Sequence, residues 1–276
     1  MHHSFNGIAI LRFALLACAM LFFMLPVVWM IAAAFKSTAE FSSLGSPFWP
    51  QHWTLAHLRS LLDNGVLARL FNTLRIAAGA TLLSLTIGFM AAYGLARHRF
   101  PARLDQVFLL LVLLIKMMPP IVVAIPLYSL LKALNLLNQP LGLMLAYQVY
   151  TLPFCIWMLL SFIREIPLAL EEAAAMDGAG LWRRLRYVVI PACTPGLVAT
   201  AIFTLIMAWN EFLFALLYLQ TPQQFTLPLF VASFMTENQV YWGELMSIGL
   251  LSSLPVLLVA GFVQRYLLRG FAVSSK

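Results

Sequence analysis

Six long apolar stretches, at roughly 9–35, 71–95, 106–131, 140–163, 192–219 and 245–268, dominate this chain. A hydrocarbon core of about 30 Å takes about 20 residues of helix to cross, and each stretch is long enough. No water reaches backbone N–H and C=O groups inside that core, so only helices or closed barrels satisfy them. The apolar residues run continuously instead of alternating at period two, which argues against a barrel. Composition agrees. With 62% apolar and 10% charged residues, against about 25% charged in soluble domains, there is too little polar surface to cover a globule. The chain reads as an all-α membrane protein with six transmembrane helices in a single domain over 1–276.

The first stretch carries Ala32-Ala33-Ala34, small residues like those of a signal cleavage site. Its apolar run from Ile8 to Phe35 is long for a signal and lacks a strong basic leader, so it is read as a span. Cys18, Cys155 and Cys193 each stand alone, without disulfide or metal-site spacing, and read as small core residues; no metal site is expected.

Charge distribution sets the orientation. A net charge of +7 would suggest nucleic acid in a soluble protein, but here the basic residues segregate by side. Eleven fall on one face: Arg12, Arg97, Arg99, Arg103, Arg164, Arg183, Arg184, Arg186, Arg265, Arg269 and Lys276. The opposite face has Lys36, Arg59, Arg69 and Lys132. By the positive-inside rule both termini are cytoplasmic, and no nucleic-acid partner is implied. The longest external connection, 36–69, contains "SPFWPQHWTLAHLRSLLD". Thr54 suits an N-cap, and Leu55, Leu58, Leu61 and Leu62 recur at helical spacing, predicting a short amphipathic helix at the membrane surface. It serves either as a connector anchored by Trp49 and Trp53 or as a contact surface for an external partner.

The longest cytoplasmic loop, 164–191, contains "LEEAAAMDGAGLWRRLRYVVIP". Glu171 to Met176 are strong helix formers, and Asp177-Gly178 breaks the helix because glycine turns the chain at little steric cost. A second helix resumes over Leu181–Val189, ahead of Pro191. The result is a projecting knob with acidic Glu171 and Glu172 at one end and Arg183, Arg184 and Arg186 at the other. Ala173 and Ala174 are small enough to let a partner approach closely.

Glu172-Ala173-Ala174, three residues, Gly178, nine residues and then Val188-x-Ile190-Pro191 resembles the EAA signature of permease subunits of binding-protein-dependent ABC importers. "KMMPPIVVAIPLYSLL" (116–131), "LPFCIWMLLSFIREIP" (152–167), "AWNEFLFAL" (208–216) and "QRYLLRG" (264–270) are similar to segments of the carbohydrate branch, the maltose- and polyol-permease relatives. The resemblance covers most of 70–270. It implies the type I importer (MetI-like) fold, with this chain as half of a heterodimeric pore whose first helix wraps the partner permease. It also implies two ATPase subunits that bind ATP and Mg, and a periplasmic or lipid-anchored solute-binding protein, in a bacterial inner membrane whose lipid surrounds the helices. Glu171, Glu172, Ala173, Ala174, Asp177 and Gly178 would then make the ATPase-coupling helix and its turn, with Glu172 meeting a basic side chain of the ATPase. In sugar permeases of this kind the tail also reaches the ATPase; "GFAVSSK" departs from the usual Leu-Thr-x-Gly-Ala-Val-Lys ending.

Ionisable residues inside a membrane are costly and usually face the bundle interior or a water-filled path. Lys116, beside Met117-Met118-Pro119-Pro120, lies mid-span three, where two prolines should kink the helix; Glu211 lies in span five. Two readings fit this pair: an ion pair or a contact with backbone carbonyls, or lining of a sugar path together with Asn210 and Trp209. Arg75 is expected to snorkel outward, and Tyr128, Gln148 and Tyr150 are weaker path candidates. No phosphate-binding loop, metalloprotease or serine-hydrolase motif is present, so the chain is read as a transport subunit without cofactor or catalytic residues. An ion-coupled secondary transporter or a membrane scaffold is the alternative.

Overall fold

The computed structural model describes residues 7–42, 47–237 and 239–273. Helix α1 (Gly7–Ala34) is followed by the short α2 (Thr38–Ser42) and α3 (Ala56–Asp63). Next come α4 (Val66–Arg97), α5 (Leu104–Met117), α6 (Pro120–Ala133) and α7 (Pro140–Glu165). Helices α8 (Leu168–Met176) and α9 (Leu181–Arg184) lead through a π-helical stretch, Leu185–Val189, into α10 (Ile190–Ala192) and α11 (Thr194–Trp209). The short α12 (Leu213–Tyr218) and α13 (Leu227–Ala232) precede α14 (Trp242–Val273).

Four of these, α1, α4, α7 and α14, are long and apolar enough to cross a membrane unaided. The other two apolar stretches are broken. Where the sequence predicts one kinked span over 106–131, α5 and α6 meet at 99°. Met118 is extended (φ −67°, ψ 138°), as a residue before proline is biased to be, and Pro119 and Pro120 remove two donors. Fourteen residues make a helix of about 21 Å, so neither piece spans the core alone. The 192–219 stretch is likewise interrupted between Trp209 and Leu213, with no proline or glycine at the break.

Two compact units emerge: Met1–Val66 with Val231–Leu254, and Leu67–Phe230 with Pro255–Lys276. In the first, α1 leaves most of its apolar side chains outside, Phe22 at 75% exposure. A helix apolar all round needs lipid or another protein about it. Cys18 lies on this exposed helix and so departs from the core reading, whereas Cys155 and Cys193 are buried. At the end of α1, Ala32–Ala34 are buried, and Ser247 Oγ donates to the Ala34 carbonyl at 3.2 Å. Thr54 Oγ1 accepts the Ala56 N–H at 3.1 Å as α3 begins. The inner face of α3 differs from the leucine stripe predicted: His57 and Leu61 are buried, and Leu55 and Leu62 face outward. His57 Nε2 lies 3.0 Å from the Lys36 carbonyl and Nδ1 lies 3.2 Å from Glu244 Oε2. Glu40 accepts N–H bonds from Gln51 (3.1 Å) and His52 (3.0 Å) and a hydroxyl bond from Ser37 (3.1 Å). Burial pushes the Glu40 carboxyl up, but these hydrogen bonds outweigh it and hold the group below the usual carboxylate range.

The second unit is built around α7, which packs against α5, α11 and α12. Close approach depends on small residues: a Cβ at Gly196 of α11 would sit 2.3 Å from the Phe162 ring of α7. Polar side chains in this interior bond locally. Thr200 and Thr204 donate to carbonyls one turn back in α11, and Ser84 of α4 bonds Thr151 of α7 at 2.7 Å. An apolar core of Phe89, Tyr93, Leu159, Ile163, Ile166 and Val189 joins α4, the end of α7 and the π-helical stretch.

Candidate coupling loop and interior break

The loop after α7 is organised by its sequence from both ends. Ile166 and Pro167 are extended (ψ 120° and 129°), forming an elbow where α7 stops and α8 begins. Helix α8 then ends in a Schellman turn: Ala179 N–H donates to Ala174 O (2.9 Å) and Gly178 N–H to Ala175 O (3.0 Å). Gly178 holds the left-handed φ of +80° that this turn requires, and a Cβ there would meet nothing within 4 Å. After α9 the backbone widens into the π-helical stretch Leu185–Val189, just ahead of Pro191. Proline cannot donate to the carbonyl four residues back and its ring crowds that carbonyl, and the local π-turn accommodates both. The helix ends at Ala192, and the chain bends by 75° before α11 begins at Thr194, a second break in the span expected over 192–219.

The two adjacent glutamates of α8 point opposite ways. Glu172 is exposed, with Ala173, Met176 and Asp177; Met176 reaches 89% exposure. Ala174 is half-buried. Glu171, expected among the residues of the ATPase-coupling helix, is 2% exposed. Its Oε1 takes a bond from Arg97 Nε at 2.6 Å and its Oε2 one from the Tyr93 hydroxyl at 2.7 Å. Arg97 Nη2 also donates to the Ile166 carbonyl at 3.0 Å. Around this inward anchor the knob keeps a second apolar surface outside, with Leu181, Trp182 and Tyr187 exposed. Arg97, counted in the sequence only as a basic residue marking one side of the membrane, is thus a structural partner. Nothing in the sequence pairs it with a residue 74 positions away.

The interior candidates do not converge. Among the described residues Lys116 and Glu211 form no ion pair; Lys116 is exposed, with Nζ 5.5 Å from the Phe154 ring centroid. Glu211 is half-buried and bonds backbone N–H groups instead of the carbonyls expected from the sequence, accepting from Phe214 (2.8 Å) and Ala215 (3.2 Å). These are orphan donors at the start of α12, so the Glu211 side chain itself accounts for the new helix beginning there. Asn210 is exposed and its amide donates to the Ile206 carbonyl at 2.8 Å, closing α11. Trp209 does not present a stacking face: it is 3% exposed, in an apolar pocket with Leu74, Leu205, Ile206, Pro255 and Val259. Of the weaker candidates, Gln148 is engaged by Ser84, Ala80 and Met144, a structural set. Tyr150 stacks on Phe214 at 5.9 Å with rings 5° from parallel, and its hydroxyl has no partner. Arg75 touches Asn72 Oδ1 (3.4 Å) and the Phe71 ring.

A nearly all-helical fold with several long apolar helices defines a multi-pass membrane protein. Residues 84–273 match the family described as binding-protein-dependent transport system inner membrane component, and the chain belongs to that family. The trehalose/maltose transport system permease protein MalG of Thermococcus litoralis is 32% identical over 254 residues, 91% of this chain and 90% of MalG. The diacetylchitobiose uptake system permease protein DasC of Streptomyces coelicolor is 32% identical over 251 residues, again 91% and 90% of the two chains. The fold is also that of a chain in the crystal structure of a bacterial ABC transporter involved in import of the acidic polysaccharide alginate. That chain has a TM-score of 0.78 and 20% identity, with 96% of this chain and 98% of the other covered.

Proposed function

We propose that this chain is the permease subunit of an ATP-driven importer of a sugar or sugar-like solute, forming half of a heterodimeric pore with a second permease. Two ATPase subunits bind and hydrolyse ATP with Mg on the cytoplasmic side, and a separate binding protein delivers the solute outside. Both termini face the cytoplasm. The observation that carries this reading is the outward face of α8, Glu172, Ala173, Met176 and Asp177, ended by the Schellman turn at Gly178. A short helix with small side chains, an exposed carboxylate and exposed apolar neighbours suits docking into a cleft of another protein. When ATP closes the ATPase dimer, docked helices move with it. The permeases then change their facing, because the two conformations bind the two nucleotide states differently. The saccharides named for the two relatives support a carbohydrate as solute.

Asn210 and Glu211, at the break between α11 and α12, and Tyr150, stacked on Phe214 of α12, are the side chains assigned to the solute path. A carboxylate, an amide and a buried aromatic hydroxyl without a partner suit sugar hydroxyls. Lys116, exposed on α5, is assigned to the path only if the second permease covers it. Gentle solubilisation and affinity purification of the chain test the proposal. A second permease and an ATPase should come with it, and ATP hydrolysis should rise with one loaded binding protein. A lone chain that still transports after reconstitution would replace this reading with a secondary transporter.

A further inference from the structure

We propose that Tyr93, Arg97 and Glu171 form a fixed joint through which movement of α8 is passed to the membrane helix α4, making Glu171 and Arg97 positioning residues. The inference rests on the coupling reading of α8 given above. Three features carry it. First, both oxygens of the Glu171 carboxylate are taken by α4, at 2.6 Å by Arg97 and at 2.7 Å by Tyr93, and the carboxylate is buried. Second, Arg97 holds both sides of the elbow at once, the Ile166 carbonyl before it and Glu171 after it. The elbow residues Ile166 and Pro167 are extended, so no helical hydrogen bond stiffens the connection between α7 and α8. Without the cross-tie, α8 would be held only by its packing against the π-helical stretch and α9. Third, Tyr93 and Ile166 belong to the same buried core as Ile163, Val189 and Cys193. A push on α8 therefore meets packed side chains instead of a gap, and close-packed interiors transmit displacement.

The chemistry fits a joint better than a docking contact. A charged pair removed from water must be held in good geometry to offset its desolvation, and such pairs are best attested where they fix one arrangement over others. Arginine supplies the fork that reaches a carboxylate and a carbonyl together; lysine, a single ammonium, does not reproduce it. Glu172, on the opposite side of α8, is left to face a partner.

The test uses the complete transporter with its ATPase, in which Cys18, Cys155 and Cys193 of this chain are changed to serine and a single cysteine is introduced at Met176 on α8 or at Ala68 at the far end of α4. Maleimide labelling rates are compared with and without ATP plus vanadate. In the otherwise unchanged protein both rates respond to nucleotide. In Glu171→Gln and Arg97→Lys the Met176→Cys response persists, while the Ala68→Cys response falls about tenfold, the scale of a lost charge-assisted bond. Exchanging the charges, Glu171→Arg with Arg97→Glu, restores part of it. Tyr93→Phe removes one bond while sparing the ion pair, and gives a partial loss even if the charge variants do not accumulate. An undiminished Ala68→Cys response in Tyr93→Phe and in whichever charge variants accumulate would overturn the joint. So would loss of the ATPase from Glu171→Gln, because Glu171 would then be a docking residue. Failure of the underlying coupling reading looks different: Met176→Cys would ignore nucleotide in the protein with Tyr93, Arg97 and Glu171 all intact.

Discussion

Two carboxylates of this chain, Glu171 and Glu211, are both drawn from water beside helix ends, and they are satisfied in opposite ways. Glu171 is held by side chains of another helix, Arg97 and Tyr93 of α4. Glu211 is held by backbone N–H groups of the helix that follows it, those of Phe214 and Ala215. The first arrangement ties two elements whose paired residues lie 74 positions apart in sequence; the second only shapes the start of α12. A carboxyl group bound across elements makes a joint, whereas one bound within its own segment makes a break. That contrast separates a part of the chain suited to passing on movement from a part suited to opening a gap in a membrane helix.

The contrast is most easily broken at Arg97. Arg97→Ala leaves Glu171 buried and uncompensated, a loss of about 3–5 kcal/mol, to be read as a lower thermal midpoint of the solubilised complex. An unchanged midpoint would mean that the Glu171 pair holds nothing. Glu211→Ala frees two N–H groups at the start of α12 and should cost about 1–2 kcal/mol, with uptake reduced and Glu211→Gln falling between. If Glu211→Ala were as damaging as Arg97→Ala, the two carboxylates would not differ in kind. Gly178→Ala adds no clash, since the space around its Cβ is open, and its penalty is the left-handed φ alone, about 1 kcal/mol. Gly178→Asn should be milder than Gly178→Val, and equal transport by all three would remove the turn from the coupling account. The smallest effect lies outside both regions, at Glu40. Its folded carboxyl lies below the ordinary value of 4.5, so its contribution to stability is present above that pH. It is lost only as pH falls through the lower folded value. Glu40→Gln should therefore flatten the acid limb of the unfolding profile, and an unaltered limb would rule the group out.

Much of this was legible in the sequence, for identifiable reasons. Long apolar runs coincide with α1, α4, α7 and α14, three of which continue through an internal proline (Pro26, Pro153 and Pro255), because helix is the form in which an isolated segment satisfies its own backbone. Pro119-Pro120 announced a bend, though not its 99° extent, which tertiary packing sets. Asp177-Gly178 announced the turn that the Schellman bonds complete. What stayed hidden were choices of face and long-range partner. Glu171 and Glu172 are neighbours of one type, and periodicity does not say which of them turns inward. The break after Trp209 carries no proline or glycine; it comes from a side chain capping the next helix, a signal indistinguishable in sequence from a membrane carboxylate paired with Lys116. His57 similarly reads as a surface residue until its partners, the Lys36 carbonyl and Glu244, are brought together from distant segments.

The central claim is that the outward face of α8 is where nucleotide-driven movement enters this chain, and Glu172→Lys tests it most directly. The complex carrying that change is purified, and ATPase retention and solute uptake are measured on the same membranes. The account predicts a normally inserted chain whose uptake is lost, with the ATPase either released or hydrolysing without transport. Full uptake with the ATPase bound as before would contradict it.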